Sequence, residues 1–225
     1  MDANYWLERW KDGRIGFHRA DANPHLVAHH RVFNEAVRVL VPLCGKSVDL
    51  EWLVVHGYEV VGVELSELAA QAFFGERGFA PERREEGAFT HYRHGGVTIV
   101  VGDFFAATSQ ELGNFDGVYD RAAMIALPRD LRARYTQHLR TLLAPKAKLL
   151  LVTLHFDAES GPPFSVSPAE VAAAYPDAKI TNLATSDASS ELPNLLEAGA
   201  TFVREHVYAV EFGVAPTHTA RGAAS

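Results

Sequence analysis

The stretch from Arg38 to Ser66 constrains the fold of this chain more than any other part of the sequence. It begins with a short apolar run, residues 39–43, whose β-branched residues predict a strand buried on both faces. A turn at residues 44–47 follows, and apolar residues then recur at helical spacing until Gly57, which is suited to the C′ position. A second apolar run, residues 60–63, predicts a second strand. These elements make one βαβ unit, so we predict an α/β fold with a doubly wound, Rossmann-like sheet.

Glu64 and the turn at Gly45 indicate what such a unit binds. Glu64 lies about 20 residues beyond Gly45, where doubly wound sheets place an acid that hydrogen-bonds a ribose diol. A dinucleotide site needs the glycines of G-x-G-x-x-G, because its backbone closes on a pyrophosphate, and the turn at residues 44–47 has one glycine. Residues 45–47 match only the end of the phosphate loop G-x-x-x-x-G-K-[ST].

The turn therefore favours a nucleoside without a pyrophosphate, and S-adenosylmethionine is the common example. Its ribose would bind Glu64, and its amino-acid end would lie near the turn and the helix N-terminus. The alternative is a purely structural βαβ unit in which Glu64 is only solvated.

The chain has 225 residues, a formal net charge of −7 and one cysteine. We expect one domain over residues 1–213 and a disordered tail at 214–225. The negative charge argues against nucleic acid as a partner, and a single cysteine excludes an internal disulfide. We find neither the pattern of a signal peptide nor an apolar run of about 18 residues. We therefore expect a cytoplasmic enzyme, monomeric by default, that has no membrane partner.

Aromatic residues are concentrated near the amino terminus. Trp6 and Trp10 are four residues apart and Tyr5 is adjacent, so all three share one face of a short helix. Packing of an amphipathic helix against the sheet would explain this spacing, and a lid that excludes water from a bound cofactor is the functional alternative. His25 and His29 have the spacing of metal ligands on a helix, but no acidic third ligand is near them in sequence. We therefore expect no metal site.

A third strand, residues 97–101, ends close to Asp103 and Phe104. The carboxyl ends of parallel strands lie along one crevice, so we expect Asp103 near Glu64. Asp103 is suited to the edge of an adenine, and Phe104 is suited to stacking on its ring. An acid that caps the next turn explains Asp103 equally well.

A fourth strand, residues 115–119, leads to Asp120 and Arg121. This strand lies beside the first at the topological switch point of the sheet, so its end would face the sulfonium methyl group of a bound S-adenosylmethionine. An arginine there is always charged, and it would lower the pKa of an acceptor thiol, which is about 8.5 in isolation. An ion pair with Asp120 is the alternative, although adjacent residues of an extended strand point to opposite sides.

Four short motifs together resemble the thiopurine S-methyltransferase family, most closely its bacterial members. The motifs are V-P-L-C-G-K-S at 41–47, G-V-E-L-S at 62–66, G-D-F-F at 102–105 and Y-D-R-A-A at 119–123. Each motif alone is weak, whereas the combination is specific. The resemblance extends from Trp6 to about Phe164.

The resemblance implies a class I S-adenosylmethionine-dependent methyltransferase domain with a seven-stranded sheet, the last pair antiparallel, and a helical lid at the amino terminus. Together with the strand-end argument it yields a set of cofactor-binding residues: Trp10, Leu43, Glu64, Asp103, Phe104 and Arg121. Two residues are implied on the substrate side: Phe17 and Phe164. For Phe164, a packed loop phenylalanine is the alternative. Arg121 is also the candidate catalytic residue, because its charge would favour an anionic acceptor.

We therefore expect in-line methylation of a small thiol or thione, thiopurine-like or another xenobiotic sulfur compound, with a role in detoxification. One alternative keeps the chemistry but changes the acceptor to a halide, thiocyanate, or a selenium or tellurium oxyanion. A second is an NAD-dependent oxidoreductase, against which the missing glycines argue. A third is a cofactor-binding module without catalysis, and a nucleophilic role of Cys44 is a further hypothesis.

One region departs from the family pattern. Many relatives that accept thiopurines carry an arginine between the positions of Lys179 and Arg204, where this chain has no basic residue. This departure weakens thiopurine as the acceptor and leaves the cofactor assignment unchanged.

The remaining sequence adds structural expectations. The charged segment at 81–96 predicts a surface excursion without a function. Residues 148–154 predict a fifth buried strand, and residues 167–170 form a capping box that begins a helix. Residues 179–183 and 203–212 predict a closing antiparallel pair.

Overall fold

The structure is a computed structural model that describes residues 3–15, 19–34 and 36–213. The tail predicted from residue 214 lies outside these ranges. The helices are α1 (Ala3–Lys11), α2 (Pro24–His29), α3 (Asp49–Val55), α4 (Glu67–Gly75), α5 (Ser109–Leu112), α6 (Ala123–Ala126), α7 (Arg129–Thr141), α8 (Pro168–Ala174) and α9 (Pro193–Glu197). The strands are β1 (Arg38–Pro42), β2 (Glu59–Glu64), β3 (Glu82–Glu86), β4 (Phe89–His94), β5 (Val97–Val101), β6 (Phe115–Arg121), β7 (Leu143–Phe156), β8 (Lys179–Asp187) and β9 (Val203–Glu211).

The strands of the described ranges form one sheet in the order β3-β4-β5-β2-β1-β6-β7-β9-β8. Strands β5, β2, β1, β6 and β7 run parallel to one another. Strand β9 runs antiparallel between β7 and β8, which is the predicted closing pair. The doubly wound α/β fold predicted from the sequence is therefore confirmed.

The sheet has nine strands rather than the seven expected. The additional two, β3 and β4, form an antiparallel hairpin that extends the sheet beyond β5. They occupy the segment that we predicted to be a surface excursion. The sequence does not predict this hairpin. Every residue of β3 is exposed, and β4 buries Phe89 and Tyr92 on opposite faces of the sheet. Neither strand shows the apolar alternation on which a strand prediction depends.

The β1–α3–β2 unit has the geometry that its sequence predicts. Val39 of β1 pairs in register with Val60 of β2. Gly57 follows the helix with a positive φ of 94°, and the next N–H, that of Tyr58, bonds the carbonyl of Leu53 at 3.2 Å. This is the backbone arrangement of a glycine-terminated helix. On its other side β1 pairs with β6, so the switch point lies between these two strands.

Helices cover both faces of the parallel strands. On one face α2, α3 and α4 bury Leu26, Leu53 and Phe73 against the sheet. On the other face α7 and α8 bury Tyr135 and Val171. Burial on both faces explains why the parallel strands are almost continuously apolar. None of the helices in the described ranges has both the length and the apolar character needed to cross a membrane.

Candidate active site

Four of the predicted cofactor residues lie at one edge of the sheet. Strands β1, β2, β5 and β6 are parallel neighbours, so their carboxyl ends lie side by side. The ends of these strands carry, or lead directly into, Leu43, Glu64, Asp103 and Arg121. This is the crevice in which open α/β sheets bind their ligands.

Glu64 is a buried carboxylate, with 7% of its surface exposed. Its Oε2 accepts the backbone N–H of Gly45 at 2.8 Å, and its Oε1 accepts that of Ser66 at 2.8 Å. Burial raises the pKa of Glu64, and these backbone hydrogen bonds oppose that rise. The carboxylate therefore joins the turn after β1 to the end of β2.

The turn after β1 has an uncommon backbone conformation. Leu43 and Gly45 have φ values of 49° and 55°, in the left-handed region, which costs a leucine free energy that a glycine does not lose. Cys44 lies between them and is buried. A Cβ placed on Gly62 would approach the Cys44 Sγ to 2.5 Å, so the thiol packs closely on β2.

The environment of Cys44 argues against a nucleophilic role. Burial, and secondly the charge of Glu64, raise the pKa of the Cys44 thiol well above its ordinary value. The thiolate is the reactive form of cysteine, so this residue is held in its unreactive form.

Asp103 lies at the predicted position but also has a structural role. Its side chain accepts the N–H of Phe105 at 2.9 Å and so caps a short 3₁₀ turn. Phe104 is 5% exposed, and its ring packs against those of Tyr135 and His138. Asp103 thus fulfils the structural alternative that we considered for it, and the contact of both residues with adenine stays a prediction.

Asp120 and Arg121 point to opposite faces of β6. Asp120 pairs in register with Leu151, and Arg121 with Val152. The Asp120 side chain is fully buried, while Arg121 is only partly covered. Because successive side chains of an extended strand point to opposite faces, this geometry disfavours an ion pair between Asp120 and Arg121.

The loop that carries Phe164 is joined to the end of β6. The N–H of Phe164 bonds the carbonyl of Ile125 at 2.7 Å, and Ile125 lies in α6, which begins two residues after Arg121. A Cβ on Gly161 would lie 2.2 Å from the Phe164 ring, so the ring packs directly on that glycine. The structure therefore links Phe164 and Arg121 through α6.

The amino-terminal residues approach this edge from both sides. Helix α1, which includes the buried Trp10, packs against α4 next to β2. Beyond residues 16–18, Arg19 lies 3.7 Å from Glu191, and His25 Nε2 lies 2.7 Å from Glu205 Oε2 on β9. In the order of the sheet, β1 and β6 lie between these two regions. Phe17, the predicted substrate residue, lies outside the described residues.

Asp49 is a buried polar residue whose importance the sequence did not reveal. Its Oδ1 accepts the N–H of Asn23 at 2.8 Å, and its Oδ2 accepts the Tyr119 hydroxyl at 3.1 Å. It therefore ties the residue that precedes α2 to the strand that carries Arg121. No local pattern reveals this role, because the partners of Asp49 lie 26 and 70 residues away.

The donor and acceptor groups of this edge fit S-adenosylmethionine. Each Glu64 oxygen accepts one backbone N–H, and each retains a lone pair for one hydroxyl of a ribose diol. The single-glycine turn at 44–47 leaves no glycine-rich backbone for a pyrophosphate. Among the described residues, no cluster of three or more His, Cys, Asp or Glu side chains is placed to hold a metal.

Two solved structures with the same fold are methyltransferases. One is the 1,6-didemethyltoxoflavin-N1-methyltransferase of Burkholderia thailandensis with S-adenosylhomocysteine bound, at a TM-score of 0.61 and 16% identity, covering 93% of this chain and 86% of that one. Another is an S-adenosylmethionine-dependent methyltransferase of Anabaena variabilis, at a TM-score of 0.63 and 14% identity, covering 93% and 94%. These likenesses show that the chain has the fold of S-adenosylmethionine-dependent methyltransferases.

Sequence comparison identifies the family within this class. The sequence model of the thiopurine S-methyltransferase family matches residues 1–212. The thiopurine S-methyltransferase of Pseudomonas putida is 44% identical over 214 residues, which cover 93% of this chain and 99% of the relative. That of Pseudomonas syringae pv. tomato is 45% identical over 213 residues, covering 92% and 97%. The chain belongs to the thiopurine S-methyltransferase family, which removes the oxidoreductase and non-catalytic alternatives.

Proposed function

We propose that this enzyme transfers the methyl group of S-adenosylmethionine to the sulfur of a small thiol or thione, thiopurine-like or another xenobiotic sulfur compound. The observation that carries the proposal is the link from Arg121 through α6 to Phe164. It ties the backbone of an aromatic residue to the helix that follows a permanent cation at the end of β6. A planar sulfur heterocycle that ionises to a thiolate needs both. The relatives named thiopurine S-methyltransferase support this class of acceptor.

Residues along the strand ends would hold the cofactor. Glu64 accepts the ribose hydroxyls, Leu43 and Trp10 contact the methionine and adenosine parts, and Asp103 with Phe104 lies toward the adenine. Arg121 lies between this group and the acceptor. When bound, S-adenosylmethionine supplies an electrophilic methyl group on a sulfonium.

Arg121 acts on the acceptor before the methyl group is transferred. Its guanidinium lowers the pKa of a nearby thiol and so raises the fraction of thiolate at neutral pH. A thiolate needs no general base, so most of the acceleration comes from alignment of the reacting atoms. Such alignment can supply about 7 kcal/mol or more of the barrier. Helix α1 and the segment before α2 would exclude water from this edge.

The carboxyl end of β8 bears on which sulfur compound is accepted. The segment between Lys179 and Arg204 contains no basic residue. Asp187, the last residue of β8, accepts the N–H of Ser189 at 2.8 Å and pairs in register with Arg204. This segment would thus offer a thiopurine anion no cation of its own, which favours a less anionic heterocyclic thione.

A panel of acceptors with methyl-labelled cofactor tests this proposal. The panel contains 6-mercaptopurine, an aromatic thiol, iodide, thiocyanate, selenite and tellurite, with hypoxanthine as the oxygen counterpart of the thiopurine. We expect label on the sulfur compounds and none on hypoxanthine. Methylation of iodide or tellurite without methylation of any thiol or thione would contradict the proposal.

The role of Arg121 is tested separately. Because a nearby cation lowers the pKa of an acidic group by about 1–3 units, and each unit changes the ionised fraction up to tenfold, Arg121→Ala should lower kcat at neutral pH by about 10-fold to 10³-fold. The dissociation constant of S-adenosylhomocysteine, measured by calorimetry, should change much less. Arg129→Ala, which removes an arginine whose side chain is 83% exposed, is the matched control. Equal activities of the two variants would exclude Arg121 from the mechanism.

A further inference from the structure

The Asp120 carboxylate forms a closed set of hydrogen bonds directly below the candidate site. Its Oδ1 accepts the backbone N–H groups of Ala123 at 3.1 Å and Met124 at 3.2 Å. Its Oδ2 accepts the hydroxyl of Tyr135, from α7, at 2.7 Å. Asp120 and Tyr135 are both fully buried. A carboxylate with three donors in a dry environment is held in one position.

The residue enclosed by these bonds has a strained backbone. Ala122 has a φ of 88°, in the left-handed region that residues with a Cβ avoid. Such a conformation persists only where its surroundings impose it. The carboxylate of Asp120 bonds the two N–H groups just beyond Ala122 and so holds the sharp turn from β6 into α6. The backbone of Arg121 lies within this turn.

The same turn sets the position of the acceptor loop. Helix α6 begins at Ala123, whose N–H is one of the Asp120 donors, and the carbonyl of Ile125 in this helix accepts the N–H of Phe164. Displacement of α6 would therefore move Phe164 as well as Arg121.

We propose that Asp120, held by Tyr135, is a positioning residue for methyl transfer: it fixes the left-handed turn that directs Arg121 toward the acceptor. This inference rests on the proposed role of Arg121. Asp120 does not contact the acceptor, because its side chain lies on the opposite face of β6. Its effect on the reaction passes through the backbone of residues 121–123.

The environment of Asp120 adds a pH signature. Burial raises the pKa of Asp120 to about 6, against the opposing hydrogen bonds from Tyr135, Met124 and Ala123. The titratable groups that face it are Tyr135 from α7 and Tyr175, which directly follows α8. Burial favours the protonated form in the folded state, but only the ionised form accepts all three donors. Protonation should therefore shift the geometry of the turn as the pH falls below about 6, without unfolding the protein.

Tyr135→Phe tests the proposal with a matched control. It removes the hydroxyl bonded to Asp120, whereas Tyr175→Phe removes a buried hydroxyl that has no hydrogen-bond partner in the described structure. A hydrogen bond to a charged group justifies an expected loss of about tenfold in kcat for Tyr135→Phe. Tyr175→Phe should be near wild type, and both should keep the affinity for S-adenosylhomocysteine. Equal kcat values for the two variants would overturn the proposal.

A double-mutant cycle separates positioning from general structural damage. If Tyr135 acts through Arg121, Tyr135→Phe should cost nothing further in an Arg121→Ala background. A full additional loss there would show that Tyr135 acts independently, and the positioning role would be wrong. If Arg121→Ala alone leaves kcat unchanged, the proposed function of Arg121 fails instead, so the two failures are distinguishable.

Asp120→Asn provides the pH readout while it preserves the size of the side chain. The assay uses an acceptor that does not titrate between pH 5 and 8. The kcat of wild type should then decrease as the pH is lowered below about 6, and the kcat of the variant should not show this decrease. The same decrease of kcat in Asp120→Asn would assign the titration to another group and count against the proposal.

Discussion

At the scale of single residues, Glu64 shows how one carboxylate can serve the fold and a ligand together. Its two oxygens are each bonded by one backbone N–H, from Gly45 and from Ser66. The amide of a glutamine has only one oxygen, so its NH₂ group would face a backbone N–H. A ribose would also lose one of its two acceptors.

We therefore predict that Glu64→Gln weakens binding of S-adenosylhomocysteine by about tenfold or more, since hydrogen bonds to charged groups contribute roughly 1.5–3 kcal/mol. Calorimetry measures this affinity. Glu59→Gln is the control, because Glu59 lies at the other end of β2 and its side chain is 50% exposed. Binding within twofold of wild type in a folded Glu64→Gln variant would exclude Glu64 from the ribose site.

Replacement of Ala122 by glycine is predicted to stabilise the fold, whereas a substitution by glycine usually destabilises it. Because a left-handed conformation costs a residue with a Cβ about 1–2 kcal/mol, Ala122→Gly should increase the free energy of unfolding by about 1 kcal/mol. Ala133→Gly, in the exposed middle of α7, should decrease it by about the same amount. Urea denaturation compares the two. Destabilisation by both glycines would mean that Ala122 is not strained.

At the scale of secondary-structure elements, the β3–β4 hairpin belongs to the core although its sequence is mostly charged. Phe89 of β4 is 3% exposed and packs among the residues of the larger apolar cluster. A Cβ on Gly102 would lie 2.4 Å from the Phe89 ring, so this aromatic side chain covers the segment that leads to Asp103.

We predict that Phe89→Ala lowers the free energy of unfolding by about 3–5 kcal/mol, the range for loss of a buried aromatic ring. Arg84→Ala, on the neighbouring strand with a side chain 71% exposed, should change it by less than about 0.5 kcal/mol. Both values come from urea denaturation. A cost for Phe89→Ala as small as that for Arg84→Ala would show that the hairpin is only loosely attached.

At the scale of the whole molecule, buried acids make stability depend on pH. The pKa of Asp120 rises from 3.8 to about 6 on folding. A raised folded-state pKa stabilises the fold below the unfolded pKa, and this contribution is lost as the pH rises through the folded pKa. The contribution of Asp120 is therefore present below about pH 4 and lost above about pH 6.

This linkage predicts how wild type and Asp120→Asn differ. The free energy of unfolding of wild type, minus that of the variant, should fall by roughly 3 kcal/mol between pH 4 and pH 7, because asparagine does not titrate. Denaturation at several pH values measures the difference. A difference that rises with pH would mean that the folded state lowers the pKa of Asp120.

Much of the fold and part of the site could be predicted because they depend on local periodicity and on one rule of sheet geometry. The apolar runs of β1 and β2 identify buried parallel strands, and parallel strands bring their carboxyl ends to one edge. The positions of Leu43, Glu64, Asp103 and Arg121 at this edge follow from the sequence alone. The β3–β4 hairpin does not, because strands rich in charge carry no apolar period.

The sequence by itself determined the βαβ unit, the direction of its strands and the family motifs at their ends, since these features depend only on residues close together in the chain. Only the tertiary structure decided which side chains hold the site in place. Tyr135 bonds Asp120, Tyr119 bonds Asp49, and His25 meets Glu205 across 180 residues of sequence. Such contacts join elements whose separation is set by packing of the whole core, and no local pattern records them.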